Sequence, residues 1–323
     1  MRFAAIDIGS NSIRLLVAEV ADKQRPGSPI ETIARAGEVC RLGRGLHETG
    51  RIAEDLAERA ADLAREFARR ARSLGAVHVI AGATAALRSA ANGTEVAERI
   101  SARAGVPVRI IDGDDEARLV YRAVVLGLGA RARESQCVVF DLGGGSTEVV
   151  SGVGMQSGRW TSLPFGAVSL TERLLPGDPP TAETLAVARA QIAKDIMHGC
   201  ASMPERTTML AGVGGTVTVL ASVDRGLTDY DPAALVGWWI ARPRAQELIE
   251  QLVGMSQQQR RTLPIMGEGR ADIIGAGVLV VEELLRRFDA PGLVCSTQGL
   301  RYGLVRLAAE EWQAKSSGGE DRR

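Results

Sequence analysis

Short apolar runs, each stopped by a charge or a glycine, alternate along this chain with longer stretches in which apolar positions recur every three or four residues. The opening run Phe3-Ala4-Ala5-Ile6 reads as a strand ending at Asp7, and after a tight turn a second strand is expected from Ile13 to Val20. From about Arg51 to Ser73 the spacing of Ile52, Leu56, Leu63 and Phe67 predicts one apolar helical stripe, with Gly75 as the stop signal. A short strand around Val77 to Ala81 and a helix from Thr94 to Ala104 follow, and Pro107 opens the run Val108-Arg109-Ile110-Ile111. Asp114 or Asp115 can then cap a helix reaching Leu126. Strands alternating with helices in this order predict an α/β protein.

After the polar, arginine-rich stretch from Gly129 to Gln136, which looks like a crossing between domains, the opening pattern returns. Ala5-Ile6-Asp7-Ile8-Gly9-Ser10-Asn11-Ser12 and Val139-Phe140-Asp141-Leu142-Gly143-Gly144-Gly145-Ser146 share Asp, Gly and Ser in one register, and an apolar strand follows each. An internal duplication is the simplest account. Helices are expected near Thr181 to Cys200 and Pro243 to Val253, and between them Met209 to Thr216 reads as a strand entering a glycine turn and a helix. A last long helix from Arg270 to Arg287 precedes a strand and turn from Leu293 to Gly303.

Composition narrows the function classes. At 323 residues the chain exceeds the usual size of one hydrophobic core, so two domains are expected. Lysine plus arginine and aspartate plus glutamate both number 39, so no global charge marks nucleic acid or an anionic membrane as a partner. Any polyanion site must be local. Cys40, Cys137, Cys200 and Cys295 are scattered without a Cys-x-x-Cys pair, which predicts reduced, buried thiols. No run has signal-peptide or transmembrane length, so a cytoplasmic location is expected. The tail 315–323, rich in Ser, Gly and charge, reads as disordered.

The candidate chemistry sits at the duplicated turns. The simplest hairpin places Gly144-Gly145 in a two-residue turn, where glycine tolerates positive φ, and then Asp141 faces Glu148 across the strands. Opposed like charges destabilise an antiparallel pair, so a hard cation such as Mg²⁺ is expected between them. In the first copy the same register sets Asp7 against Arg14, an attractive pair that needs no metal. Ser10, Asn11 and Ser12 in one turn, and Gly144, Gly145 and Ser146 in the other, offer amides and hydroxyls to an anion with little side chain in the way. Gly214, Gly215 and Thr216, ahead of a helix, add a third donor set. One such turn alone is more simply a tight turn; two duplicated turns and a third favour a phosphate cradle. No glycine loop ends in Gly-Lys-Ser/Thr, and Asp112 to Glu116 lacks the sixth-position glycine of a calcium loop, Ala117 standing there.

These motifs, with the ending Ser296-Thr297-Gln298-Gly299-Leu300-Arg301-Tyr302-Gly303, resemble the short, two-domain form of the exopolyphosphatase and guanosine pentaphosphate phosphatase family, from about Arg2 to Leu307. The resemblance implies two duplicated ribonuclease H-like domains of the actin-like ATPase superfamily with an active-site cleft between them. Domains are expected over 1–126 and 127–302, with a helix at about 303–314 packing back on the first. By the same resemblance the catalytic glutamate, which precedes an Ala-Arg pair, falls on Glu116. The metal carboxylates fall on Asp141 and Glu148, with Asp7 as a further candidate, and Thr84-Ala85-Ala86-Leu87-Arg88 places Arg88 near phosphate. Asp115 stands where many relatives carry a second glutamate. Read without the resemblance, Glu116 is a first-turn acid favoured by the helix dipole. Arg270 and Arg301 are further candidates for phosphate contacts. The implied activity is Mg²⁺-dependent hydrolysis of inorganic polyphosphate, with guanosine pentaphosphate as alternative substrate, in a protein that forms a homodimer and binds neither nucleic acid nor membrane. An ATP-dependent kinase or a nucleotide-switched assembly protein on the same fold are the competing classes.

Overall fold

The computed structural model describes residues 1–21, 30–267 and 269–317. Contacts divide the chain into two compact units, Met1–Asp112 with the segment from Leu300 onward, and Gly113–Gly299.

In the first unit β1 (Arg2–Ile8), β2 (Ser12–Val20), β3 (Ile30–Val39), β4 (Ala76–Ala83) and β5 (Val108–Ile110) form a sheet in the order β3-β2-β1-β4-β5. The first three strands are antiparallel, and β4 and β5 run parallel to β1. Helices α1 (Leu46–Thr49), α2 (Glu54–Ser73), α3 (Ala85–Ser89) and α4 (Gly93–Ala104) complete the segment up to Asp112. Leu56, Ala60, Ala64, Phe67 and Ala71 make the buried stripe of α2. Leu63, predicted on that stripe, is only partly buried, and Ile52 precedes the helix, where the Asn92 side chain bonds both its N–H and its C=O at 2.9 and 3.0 Å. Gly75 stops the helix in a left-handed conformation, φ 81°.

The second unit repeats the order. Strands β6 (Gln136–Leu142), β7 (Thr147–Val153), β8 (Gln156–Leu163), β9 (Met209–Val213), β10 (Trp239–Ala241) and β11 (Gly292–Cys295) form a sheet β8-β7-β6-β9-β11, to which β10 adds an antiparallel edge. Two copies of one topology are what the duplicated sequence pattern requires. The helices of this unit are α5 (Gly113–Leu128), α6 (Ala130–Arg133), α7 (Ala167–Leu174), α8 (Ala182–Gly199), α9 (Gly215–Arg225), α10 (Pro232–Leu235), α11 (Arg242–Gly254), α12 (Gln257–Arg261) and α13 (Ile274–Arg287). Finally α14 (Leu300–Ser317) returns to pack on β1, β2 and β4 of the first unit.

Several boundaries differ from the sequence expectation. The division falls at Asp112/Gly113, not at 126/127, because α5 packs on β6, β7 and β8. The Tyr121 hydroxyl donates to the Gly154 carbonyl at 3.0 Å, and a Cβ on Gly152 would stand 2.3 Å from that hydroxyl oxygen. The arginine-rich stretch 129–136 is therefore no crossing: it holds α6, with Ala132 fully buried, inside the second unit. Asp114 and Asp115 lie within the first turn of α5 instead of capping it. The predicted helix at 270 begins at Ile274, and the turn predicted to Gly303 is already helical from Leu300. Of the predicted disordered tail, 315–317 end α14 and the remainder lies outside the described residues.

Candidate active site

Every motif singled out in the sequence begins where a parallel strand, or the strand it pairs with, reaches its carboxyl end, the edge at which α/β sheets bind ligands. In the second unit β6 ends at Leu142 and enters the Gly143–Ser146 turn, β9 ends at Val213 and enters Gly214, and β11 ends at Cys295 ahead of Gly299. In the first unit β1 ends before Gly9, β4 before Thr84, and β5 before Asp112 and the start of α5.

The β6–β7 hairpin sets Asp141 directly opposite Glu148 and is closed by a bond from the Gly143 N–H to the Ser146 carbonyl at 3.0 Å. Side chains at opposed positions project from the same face, so two carboxylates share one neighbourhood. Glu148 is almost fully buried, and its Oε1 accepts from the Ser162 hydroxyl at 2.9 Å. Ser162 is the cross-strand partner of Glu148 on β8, and a Cβ built on Gly113 would stand 3.2 Å from the Ser162 Cβ. The start of α5 thus abuts the residue that holds Glu148. Glu116, 5% exposed, lies one turn further along that helix.

The turn's amides have a defined direction. The Gly143 carbonyl accepts from the Ala167 N–H at 2.9 Å, and the Gly144 carbonyl accepts from Val168 and Ser169 at 2.9 and 3.1 Å. In a trans peptide the N–H points opposite to the C=O. The N–H groups of Gly144 and Gly145 are therefore aimed away from α7, as an anion cradle requires. This approach depends on Gly166, where a Cβ would sit 2.5 Å from the Gly143 oxygen. The left-handed glycine is not Gly144 or Gly145 but Gly214, at φ 108°, whose Cβ would also meet the Leu142 oxygen at 2.5 Å. Gly214 is the N-cap of α9 without a side-chain cap, and Gly215 and Thr216 open the helix. The Arg270 guanidinium stands over this start, with Nε 3.5 Å from a Cβ placed on Gly215. Cationic charge beside the positive end of a helix is an arrangement that an anion stabilises.

The first unit's turn follows the same plan with other partners. Asp7 faces Arg14, and the Gly9 N–H donates to the Ser12 carbonyl at 3.1 Å. The Ser10 carbonyl accepts from Gly43 at 2.8 Å, and the Asn11 carbonyl from Cys40 and Arg41 at 2.9 and 2.8 Å, which turns the Asn11 and Ser12 amides outward from that segment. Burial pushes the Asp7 carboxyl above its ordinary range, while Arg14 and Arg301 pull it back. Arg301 also donates to the Leu15 carbonyl at 3.4 Å. Thr84 bonds through its N–H to the Ile8 carbonyl, so α3 starts beside the end of β1. Arg88 on that helix donates to the Ile111 carbonyl at 2.9 Å.

A sequence model described as the Ppx/GppA phosphatase family matches residues 16–310. The chain belongs to this family. Exopolyphosphatase 2 of Mycobacterium tuberculosis (strain ATCC 25618 / H37Rv) is 36% identical over 291 residues, which cover 88% of this chain and 90% of that protein. Exopolyphosphatase 1 of Mycobacterium bovis is 31% identical over 311 residues, covering 94% and 87%. The solved Aquifex aeolicus PPX-GPPA enzyme matches with a TM-score of 0.80 at 31% identity, over 95% of this chain and 99% of that one. These likenesses agree with the two duplicated actin-like α/β domains that the family resemblance implies, and the two sheets share one strand order.

Within this Ppx/GppA protein the carboxylate pair fits a divalent cation. Mg²⁺ takes one or two protein carboxylates and completes its shell with water and phosphate oxygens. Asp141 and Glu148 supply that number, and among the described residues no group of three or more His, Cys, Asp or Glu makes a fuller cage. Gly299 of the C-terminal motif lies against this pair, a Cβ there standing 3.5 Å from Asp141 Oδ2. Ser162 and Gly166 were not singled out in the sequence. Ser162 is a lone hydroxyl on a polar edge strand, and its relevance shows only through the register that sets it against Glu148.

Proposed function

We propose that this protein is an exopolyphosphatase, hydrolysing the terminal phosphoanhydride bond of inorganic polyphosphate and releasing orthophosphate. The observation that carries the reading is the gathering, within the second unit, of an opposed carboxylate pair, outward-facing amides and the first turn bearing Glu116. The exopolyphosphatase names of the relatives supply the substrate class.

Phosphoryl transfer to water asks the protein for charge neutralisation on the transferring group and for an oriented, deprotonated water. The Gly144 and Gly145 amides, Ser146, and the α9 start at Gly214, Gly215 and Thr216 are assigned to phosphate oxygens. In the first unit Ser10, Asn11, Ser12 and Arg88 are assigned phosphate contacts, and Arg270 adds positive charge at α9. Glu116 orients the attacking water and takes its proton. Mg²⁺, held by Asp141 and Glu148, supplies charge neutralisation on phosphate oxygens when bound; Asp7, held by Arg14 and Arg301, is the weaker candidate ligand. The reading places the protein in the cytoplasm, where reducing conditions suit four buried free thiols. It also expects a homodimer, which sedimentation velocity would test.

The deciding experiment is phosphate release in Mg²⁺ from defined short polyphosphates, long polyphosphate and guanosine pentaphosphate, with Glu116→Gln as control. Release from polyphosphate is expected, with kcat down about 10²- to 10⁴-fold in the variant and binding retained, because the amide keeps the shape and loses the base. Release from guanosine pentaphosphate alone would reassign the substrate. Near-normal turnover by Glu116→Gln would remove Glu116 from the mechanism.

A further inference from the structure

Arg260 on α12 is a buried charge that the chemistry above does not use. It is 4% exposed, and burial lowers the pKa of its guanidinium, against a weaker opposing pull from Asp178. A guanidinium withdrawn from water is costly, and an apolar side chain of similar volume would fill the space at no such cost. Its hydrogen bonds do what an apolar side chain could not. Nε donates to the Leu252 carbonyl at 2.8 Å and Nη1 to the Ala271 carbonyl at 3.1 Å, so one planar fork ties α11 to the turn that leads into α13. Ala271 is the residue after Arg270, whose own carbonyl accepts from the Ile273 and Ile274 amides at 3.1 and 2.9 Å. The remaining nitrogen, Nη2, has no hydrogen-bond partner among the described residues and lies beside Gly275, where a Cβ would approach it to 3.3 Å. A glycine in the first turn of α13 leaves room for the planar group. The backbone at 270–271 is thereby pinned while the Arg270 side chain stands over Gly215 at the start of α9.

We propose that Arg260 is a positioning residue for phosphate binding, fixing the 270–274 turn so that the Arg270 guanidinium is held over the α9 N-terminus. This rests on the assignment of the α9 start to phosphate, and it is tested with a readout that does not need turnover. The thermal-shift increment produced by inorganic phosphate is measured in the full chain for wild type, Arg270→Ala, Arg260→Met and the double variant, alongside KM and kcat for polyphosphate. The increment is expected to disappear in both single variants, with KM raised about tenfold, the scale of one charge-assisted hydrogen bond, and kcat changed far less. The double variant should match Arg270→Ala, since the two residues act as one unit. Arg260→Lys should not rescue, because a single ammonium cannot reproduce the fork. Gly275→Ala, which crowds Nη2 without removing a charge, should raise KM in the same direction by less, and covers the case in which Arg260→Met does not fold. A phosphate increment unchanged in folded Arg260→Met or in Arg270→Ala, or effects that add in the double variant, would overturn the proposal. Wild type that is stabilised by phosphate in an Arg270-dependent way yet releases none from polyphosphate would sink the exopolyphosphatase reading and leave this one standing.

Discussion

The two hairpin turns share a backbone device and differ in the residue that faces the aspartate. In both, a strand ends in Asp-x-Gly, the glycine N–H closes the hairpin onto a serine carbonyl, and neighbouring carbonyls are tied down so that the next amides point the other way. The ties differ: α7 in the second unit, the Cys40–Gly43 segment in the first. Across the strands Asp141 meets Glu148, whereas Asp7 meets Arg14 with Arg301 close by. One aspartate faces a second carboxylate, the pair to which Mg²⁺ is assigned in the proposed function, while the other faces an arginine of the chain. The two copies therefore share the backbone device, and a single cross-strand position, glutamate in one and arginine in the other, separates them.

Asp141→Asn against Asp7→Asn should break this comparison with the largest effect. In Asp141→Asn the kcat/KM for polyphosphate is expected to fall on the order of 10²-fold and its Mg²⁺ titration to shift to higher concentration. In Asp7→Asn, the weaker candidate ligand, the Mg²⁺ midpoint should move far less. Equal shifts in the two variants, read from phosphate release against free Mg²⁺, would dissolve the distinction. A smaller effect comes from Arg14→Glu, which writes the second copy's carboxylate pair into the first. Without divalent cation the variant should lose about 1 kcal/mol by urea unfolding, since like charges then stand opposed. Added Mg²⁺ should restore stability in the variant more than in wild type. If Mg²⁺ stabilises both equally, an opposed pair in this hairpin is not sufficient to hold the cation.

Much of this was legible in the sequence because strand pairing has period two. Once Asp141-Leu142-Gly143-Gly144-Gly145-Ser146-Thr147-Glu148 is read as a hairpin, the opposition of Asp141 and Glu148 follows from counting, as does that of Asp7 and Arg14. Less legible was whatever depends on which surface a helix covers. The stretch 129–136 is polar and arginine-rich, as a linker would be, yet α5 and α6 on either side of Gly129 belong to one unit because Tyr121 is keyed into the space left by Gly152. Composition sees the charges of such a segment and not its buried neighbours. The same limit hid Gly166, whose role is to let a segment approach the turn from behind, and Arg260, whose burial is a property of the folded core. The positive φ expected inside the hairpin belongs instead to Gly214, because the hairpin is shaped by its bonds to α7 while the α9 start must pass close over Leu142.

The smallest expected effect tests the first turn alone, through proton linkage. Burial raises the Asp7 carboxyl above its unfolded value of 3.8, despite the opposing pull of Arg14 and Arg301. In the interval between the unfolded and folded values the native state holds a proton that the unfolded chain has released. The contribution of Asp7 to stability is then fully present below the unfolded value and is lost as pH rises through the folded one. Asparagine cannot titrate, so the stability of Asp7→Asn relative to wild type should be more favourable at pH 7 than at pH 4, by urea unfolding at both. The opposite trend would mean that the two arginines outweigh desolvation and hold Asp7 ionised, which would bring the first turn closer to a preformed ion pair. In that case Arg14→Glu should cost more than an opposed like-charge pair alone, because it would also remove the partner of an already ionised aspartate.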